Sequence, residues 1–248
     1  MMHGIDPRVA APVNRLRDDL LRVAARELIG VYIHGSAVLG DFIPGSSDLD
    51  VLVVIRDDIE HAAITAIAAT LAAHDPTPAV SIEASVVTRS AALVPRAPWP
   101  FLVHVTNHPN DNKIVDGSDS DGDPDLILHY AVLRQRAWTA TGTSATNSIG
   151  EIERATIVAQ LADELTWAAA HAPESYAVLN ACRALRFVSD GVLCSKSDGG
   201  MWALSNQIEP DLVRAALTAR HVGSARSTPT HSRAWVLSTA RSLGESER

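Results

Sequence analysis

Asp48 and Asp50 stand two residues apart at the head of Leu49 to Ile55, a stretch that is almost wholly apolar after Asp50. Such a stretch is expected to be a buried central strand. Side chains at i and i+2 of a strand share a face, so the two carboxylates lie side by side and repel each other unless a cation neutralises them. Mg²⁺ suits that demand, because it takes one or two carboxylates together with water and the phosphates of a substrate. Upstream runs His34-Gly35-Ser36-Ala37-Val38-Leu39-Gly40. Gly35 lets the backbone approach a ligand closely, and Ser36 offers a hydroxyl at a turn that suits phosphate oxygens. Downstream, Val80 to Thr88 alternates, with Val80, Ile82, Ala84 and Val86 on one face and Ser81, Glu83, Ser85 and Val87 on the other. Glu83 is therefore a third carboxylate if that strand lies beside the second. Three carboxylates, a Gly-Ser turn and Mg²⁺ suit in-line displacement on a nucleoside triphosphate, with one carboxylate as general base for the attacking hydroxyl.

The elements that must hold these residues can be read from periodicity. Residues 12–29 predict a helix, with Leu16, Leu20, Val23 and Leu28 on one face and Gly30 as its stop. Val31 to His34 predicts a first strand, Leu49 to Ile55 a second and Val80 to Thr88 a third, with a helix over about 59–73 between the last two. Leu102 to Thr106 suggests a further strand, and 125–137 a helix. Gly142 to Gly150 (GTSATNSIG) is small, polar and uncharged, as a linker would be. Beyond Gly150 strand signals vanish, and 151–171, 174–193, 199–207, 210–221 and 230–243 all have helical character. The expected fold class is an α/β (α+β) domain with a mixed sheet over residues 1–146, followed by an all-α helical bundle over 147–248.

The bulk numbers narrow the classes of function. Of 248 residues 46% are hydrophobic, which is enough for packed cores. The formal charge is −8 and no Lys/Arg cluster appears, so a sequence-independent grip on nucleic acid is not expected. Residues 1–150 hold 18 acidic against 11 basic side chains, and 151–248 hold 11 against 10. An acidic cleft in the first part would suit a cationic small substrate, although mild acidity serves solubility alone. No apolar stretch approaches the roughly 20 residues that cross a bilayer, and Met1 to Pro12 lacks the pattern of a signal peptide. A cytoplasmic protein, with access to ATP and Mg²⁺, is expected. Cys182 and Cys194 fit no metal spacing and are expected to be inert core residues. His34 is assigned no role, and His104, His108 and His129 lack metal-ligand spacing. The run Asp119 to Asp125 fails as a calcium loop, since Pro124 occupies the glycine position and no glutamate closes it.

The pattern Gly35-Ser36, Gly40, Ser47-Asp48-x-Asp50 resembles the signature of the polymerase-β-type nucleotidyltransferase superfamily. Within it, the whole chain resembles the streptomycin/spectinomycin (aminoglycoside) adenylyltransferases. The second stretch that carries this likeness is Val178-Leu179-Asn180-Ala181-Cys182-Arg183-Ala184-Leu185, followed by Gly191-Val192-Leu193-Cys194-Ser195-Lys196. The resemblance spans about residues 31 to 215. It implies that Gly35 and Ser36 hold phosphate, that Asp48 and Asp50 bind Mg²⁺, and that Glu83 is the catalytic base and a further metal ligand. It also implies that Lys196 reaches the triphosphate from the helical domain. By the same resemblance Trp167 and Tyr176 stand at positions of acceptor contact, and Glu174, or Asp163 and Glu164 further back, would supply the acidic contact. The chain departs from them in having Ala168-Ala169-Ala170-His171-Ala172-Pro173 where acidic residues are found, and Tyr176 where they have an asparagine.

The expected activity is Mg²⁺-dependent transfer of AMP from ATP to a hydroxyl of an aminoglycoside or aminocyclitol, conferring antibiotic resistance. The partners are ATP and a small, hydroxylated, cationic acceptor, with no nucleic acid or membrane, and the chain is expected to be a monomer. A second reading keeps the chemistry and places the hydroxyl on another small molecule or on a protein. A third is an idle nucleotide-binding module, which the three intact carboxylates do not favour.

Overall fold

The computed structural model describes residues 4–222 and 231–246. It divides into two compact units, 1–152 and 153–248.

The first unit is built on a six-stranded sheet of order β5-β4-β3-β2-β1-β6. Its strands are β1 (Leu28–Ile33), β2 (Leu49–Ile55), β3 (Ile82–Thr88), β4 (Val103–His108), β5 (Asp111–Asp116) and β6 (Trp138–Gly142). Only β2 and β3 pair in parallel, and every other neighbour is antiparallel. A parallel pair requires a crossover, and α3 (His61–Ala73) supplies it. The sheet carries a packed layer on each face, as a sheet without a wet side must. On one face, Leu16 and Leu20 of α1 (Ala10–Ala24) and Ile67 and Leu71 of α3 cover Val31, Val51, Val53, Ala84 and Val86. On the other, Leu126, Tyr130 and Leu133 of α5 (Leu126–Arg136) cover Tyr32, Leu52, Val54 and Val87. The alternation read in residues 80–88 is the one observed: Ile82, Ala84 and Val86 join the first core and Val87 the second.

Three local expectations are corrected. The first helix stops at Ala24, and β1 begins at Leu28, so Gly30 lies inside a strand rather than ending a helix. A Cβ there would strike the Tyr32 hydroxyl at 2.1 Å, because the Tyr32 ring lies over it. The stretch 142–150 is not a linker. Residues 138–142 form the edge strand β6, Ala145–Ser148 form a short helix α6, and Ala145 and Ile149 are buried in the second core. Tyr32 Oη fastens this segment by donating to Thr143 O (2.9 Å) and lying 2.7 Å from the Ser148 hydroxyl. Third, β5 was not foreseen, because its side chains are mostly exposed polar residues with no apolar alternation.

The second unit, among the described residues, is helical: α7 (Arg154–His171), α8 (Glu174–Asp190), α9 (Lys196–Ser205), α10 (Pro210–Val222) and α11 (Ser232–Ser246). Helix α8 is the hub and packs against each of the other four. Its Ala177, Val178, Ala181, Cys182 and Ala184 are buried, and these small side chains permit close helix approach. Gly191, in the left-handed conformation (φ 73°), ends α8 as a C′ glycine. At α9, a Cβ on Gly200 would press Leu217 and Leu179, so Gly200 sits where helices approach closely. Among the described residues, no helix is long and apolar enough to cross a membrane.

Candidate active site

The chemistry of the first unit gathers where β1, β2, β3 and β4 line up. His34 N–H donates to Asp50 O (3.1 Å), Asp50 is in register with Glu83, and Glu83 is in register with Thr106. The pairing puts Asp50 and Glu83 on adjacent parallel strands and on the same face, about 5 Å apart as neighbouring strands are. The backbone ladder thus fixes the two carboxylates before any side-chain contact is considered. Asp48 stands just ahead of β2 and accepts a short hydrogen bond from Ser81 Oγ, ahead of β3.

The Gly35-Ser36 turn closes against this row. Gly35 has φ 60° and ψ −145°, a backbone state that only glycine adopts readily. A Cβ at Gly35 would lie 1.8 Å from Asp50 Oδ2, so the turn rests on the carboxylate. Ser36 Oγ, at the start of α2 (Ser36–Leu39), is buried and has no hydrogen-bond partner among the described residues. A buried hydroxyl left without a partner is costly unless a ligand completes it.

Electrostatics set Glu83 apart. Burial pushes its carboxyl above the ordinary carboxylate value. The nearby His129 imidazole pulls the other way, and the charges of Asp48, Asp125 and Asp123 add to the rise. His129, on α5, lies against His34 with ring centroids 4.8 Å apart. Burial, reinforced by His129, holds His34 neutral, well below its ordinary value. On the neighbouring row, His104 Nδ1 is 3.0 Å from Ser85 Oγ, and its Nε2 is 3.2 Å from Thr106 Oγ1.

The sequence reading missed His129, Asp123 and Asp125 as neighbours of Glu83. The first has no ligand spacing, and the two aspartates lie in a run that fails as a calcium loop. The available signal was the place of Asp123 and Asp125 just before, and of His129 within, the mostly apolar stretch Leu126 to Leu133.

The donor chemistry is that of a hard cation: carboxylate oxygens from Asp48 and Asp50, with Glu83 beside them. Among the described residues, no group of three or more His, Cys, Asp or Glu side chains gathers closely enough to hold a metal unaided.

In the second unit, Lys196 opens α9 after Ser195, whose Oγ caps the helix by accepting from Asp198 N (3.0 Å). Arg183 Nε donates to Cys194 O (2.8 Å), tying α8 to the segment that presents Lys196. Lys196 Nζ lies 4.3 Å from the centre of the Tyr176 ring. Tyr176 Oη donates to Glu164 Oε1 at 3.4 Å. Glu174 pairs with Arg233 at 3.7 Å. Trp167 is 54% exposed and stacks on His171 at 5.4 Å. Of the sequence-derived residues in this unit, the structure joins Tyr176 to Lys196 and gives Trp167 and Glu174 other partners. Cys182 and Cys194 are buried, and burial pushes both thiols up, the first to about 12.

Residues 13–88 match the nucleotidyltransferase domain family, and residues 149–243 match the aminoglycoside adenylyltransferase C-terminal domain family. No curated protein sequence matches the chain significantly. Among solved structures, the fold is similar to that of the spectinomycin adenyltransferase AAD(9) from Enterococcus faecialis, crystallised with ATP and spectinomycin. The TM-score is 0.64 at 17% identity, over 96% of this chain and 98% of that one. A nucleotidyltransferase domain with the carboxylate row described above, joined to a C-terminal domain of this kind, makes the chain a nucleotidyltransferase that resembles the aminoglycoside adenylyltransferases.

Proposed function

We propose that the protein transfers AMP from ATP to a hydroxyl of an aminoglycoside or aminocyclitol antibiotic, and that this modification confers resistance. The observation that carries the chemistry is the register of Asp50 with Glu83 beside the Gly35-Ser36 turn. Gly35 and Ser36 hold phosphate oxygens, the partnerless Ser36 hydroxyl donating to one of them. Asp48 and Asp50 hold Mg²⁺, with Glu83 as a further ligand. When bound, the ion offsets the charge of the triphosphate and of the leaving pyrophosphate. Glu83 takes the proton of the acceptor hydroxyl as that oxygen forms its bond to the α-phosphorus. The bond from the α-phosphorus to the bridging oxygen breaks, and pyrophosphate leaves with the electron pair. A carboxyl whose affinity for protons is raised by burial is better matched to this task than an ordinary surface carboxylate. Lys196 supplies positive charge to the triphosphate.

Asp123 and Asp125, close enough to Glu83 to act on its charge, give this region the negative potential that attracts a cationic acceptor. Trp167, Glu174 and Tyr176 are the acceptor contacts we propose in the helical unit. The likeness to an enzyme solved with spectinomycin supports the aminocyclitol as acceptor.

The test is pyrophosphate release from ATP and Mg²⁺ across a panel holding spectinomycin, streptomycin and other aminoglycosides, with Glu83→Gln as control. Release that depends on one antibiotic and on Glu83 is the expected outcome. Release that needs no antibiotic and labels a protein or another metabolite would replace the acceptor and keep the chemistry.

A further inference from the structure

We propose that Tyr176 is a positioning residue for Lys196: its ring face holds the ammonium in place for the triphosphate. This rests on the reading of Lys196 as the triphosphate contact. Lysine is a poor carrier of a fixed charge, because its four-carbon stem has many rotamers and each must be given up when a ligand binds. Here the Nζ lies 4.3 Å from the Tyr176 centroid, inside the range in which a cation is attracted to the face of an aromatic ring. The ring is in turn held. Tyr176 sits in the first turn of the hub helix α8, is only partly exposed, and its hydroxyl donates to Glu164 on α7. Burial pushes the phenol up to about 12 and the Glu164 charge adds to this, so Tyr176 stays protonated and remains a donor at neutral pH. Glu164 thus orients the ring and the ring orients the ammonium. The Ser195 cap and the Arg183 bond to Cys194 O fix the backbone from which the lysine springs. Because Lys196 lies over one face of the ring, that face is given to the lysine, and only the rest of Tyr176 is left for the acceptor.

The chain has two lysines, Lys113 and Lys196, so lysine-selective ¹³C labelling gives an almost empty spectrum in which each can be followed. In the wild-type protein the Lys196 ε-methylene is expected to be shifted upfield by the ring current of Tyr176. Lys113, which pairs with Asp111, serves as the unshifted reference. Two unshifted signals would overturn the proposal without any variant being made. Binding of ATP·Mg²⁺ is then measured by calorimetry. Tyr176→Leu should weaken it about three- to ten-fold, the range expected for loss of a partly desolvated cation–π contact. Tyr176→Phe should stay within about two-fold of wild type, because it keeps the ring face. Lys196→Met should weaken binding at least as much, and Tyr176→Leu should add nothing in its background. If Lys196→Met leaves binding unchanged, the triphosphate reading of Lys196 fails and the inference falls with it. If Lys196→Met weakens binding and Tyr176→Leu does not, or if the two losses add, the inference alone fails. Tyr176→Met, unbranched and ringless, repeats the test should the leucine variant fold poorly.

Discussion

The two units hold their reactive side chains by different physics. In the first, Asp50 and Glu83 are placed by a backbone ladder: hydrogen bonds between β2 and β3 set their register, and a packed layer on each face of the sheet prevents slippage. In the second, Lys196 is placed by side chains, through a ring face and a capped helix start. A ladder tolerates a change of side chain at the site, because the backbone does not depend on it. A side-chain cluster is retuned by each of its members. Substitutions among the first unit's carboxylates should therefore change chemistry at constant structure, and substitutions around Lys196 should change affinity in small steps.

The sharpest way to break this contrast is to neutralise the ladder carboxylates. Asp50→Asn and Glu83→Gln should each lower kcat about 10²- to 10⁴-fold, the range of a lost general base or charge-stabilising group, with the melting temperature held within a few degrees. Calorimetry of ATP binding in Glu83→Gln should still find a complex. A variant that kept full turnover would remove Asp50 or Glu83 from the mechanism. Next in size is Gly35→Ala. The new Cβ meets Asp50 Oδ2 at 1.8 Å in a backbone state alanine resists, so about 1–3 kcal/mol of strain is expected together with most of the ATP affinity lost.

A pH profile sharpens the comparison further. As the proposed base, Glu83 works only when ionised, and its carboxyl is raised, so kcat/KM should fall on the acid side at a pH above the ordinary 4.5. Removing the like charges with Asp123→Asn and Asp125→Asn should move that limb down, and His129→Gln should move it up. Stability runs by a separate route. Folded His34 has a depressed affinity for protons, so below about 6.5 the unfolded chain binds a proton that the folded chain refuses, and stability is lost as pH falls. Thermal melts between pH 7.5 and 5.5 should show this, less steeply in His34→Gln. The smallest effect is Tyr32→Phe, which strips the hydrogen bonds to Thr143 and Ser148. A loss of about 1–2 kcal/mol in denaturant titrations is expected, with catalysis intact.

What could be read in the sequence was what lies close along the chain or repeats with a period. Asp48 and Asp50 are neighbours on one stretch, Gly35 and Ser36 are adjacent, and Glu83 is assigned to a face by simple alternation. The helices of the second unit were read for the same reason, within a few residues at their ends. The failures lie where tertiary contact decides. Residues 142–150 have the composition of a linker, yet the Tyr32 hydroxyl and a buried Ile149 hold them in the fold. Strand β5 is held mainly by pairing with β4, with Val115 alone of its side chains packed against a core, so no pattern announced it. Asp123, Asp125 and His129 meet Glu83 only once α5 is laid over the sheet. No spacing rule links positions about 40 residues apart.

The parallel pairing of β2 with β3 also bears on how the molecule acquires its activity. An antiparallel hairpin can zip from its turn, but these two strands join only after the intervening crossover, α3 included, has been laid down; Ser81 and Asp48, which meet at their entrance, are 33 residues apart. Contacts of such range form late, because loop closure must be paid in chain entropy before they return any energy. The proposed site is thus a reporter of completion, because Asp50 and Glu83 come into register only when the β2–β3 seam closes. During refolding, recovery of pyrophosphate release should therefore trail the recovery of secondary structure and coincide with closure of the β2–β3 seam.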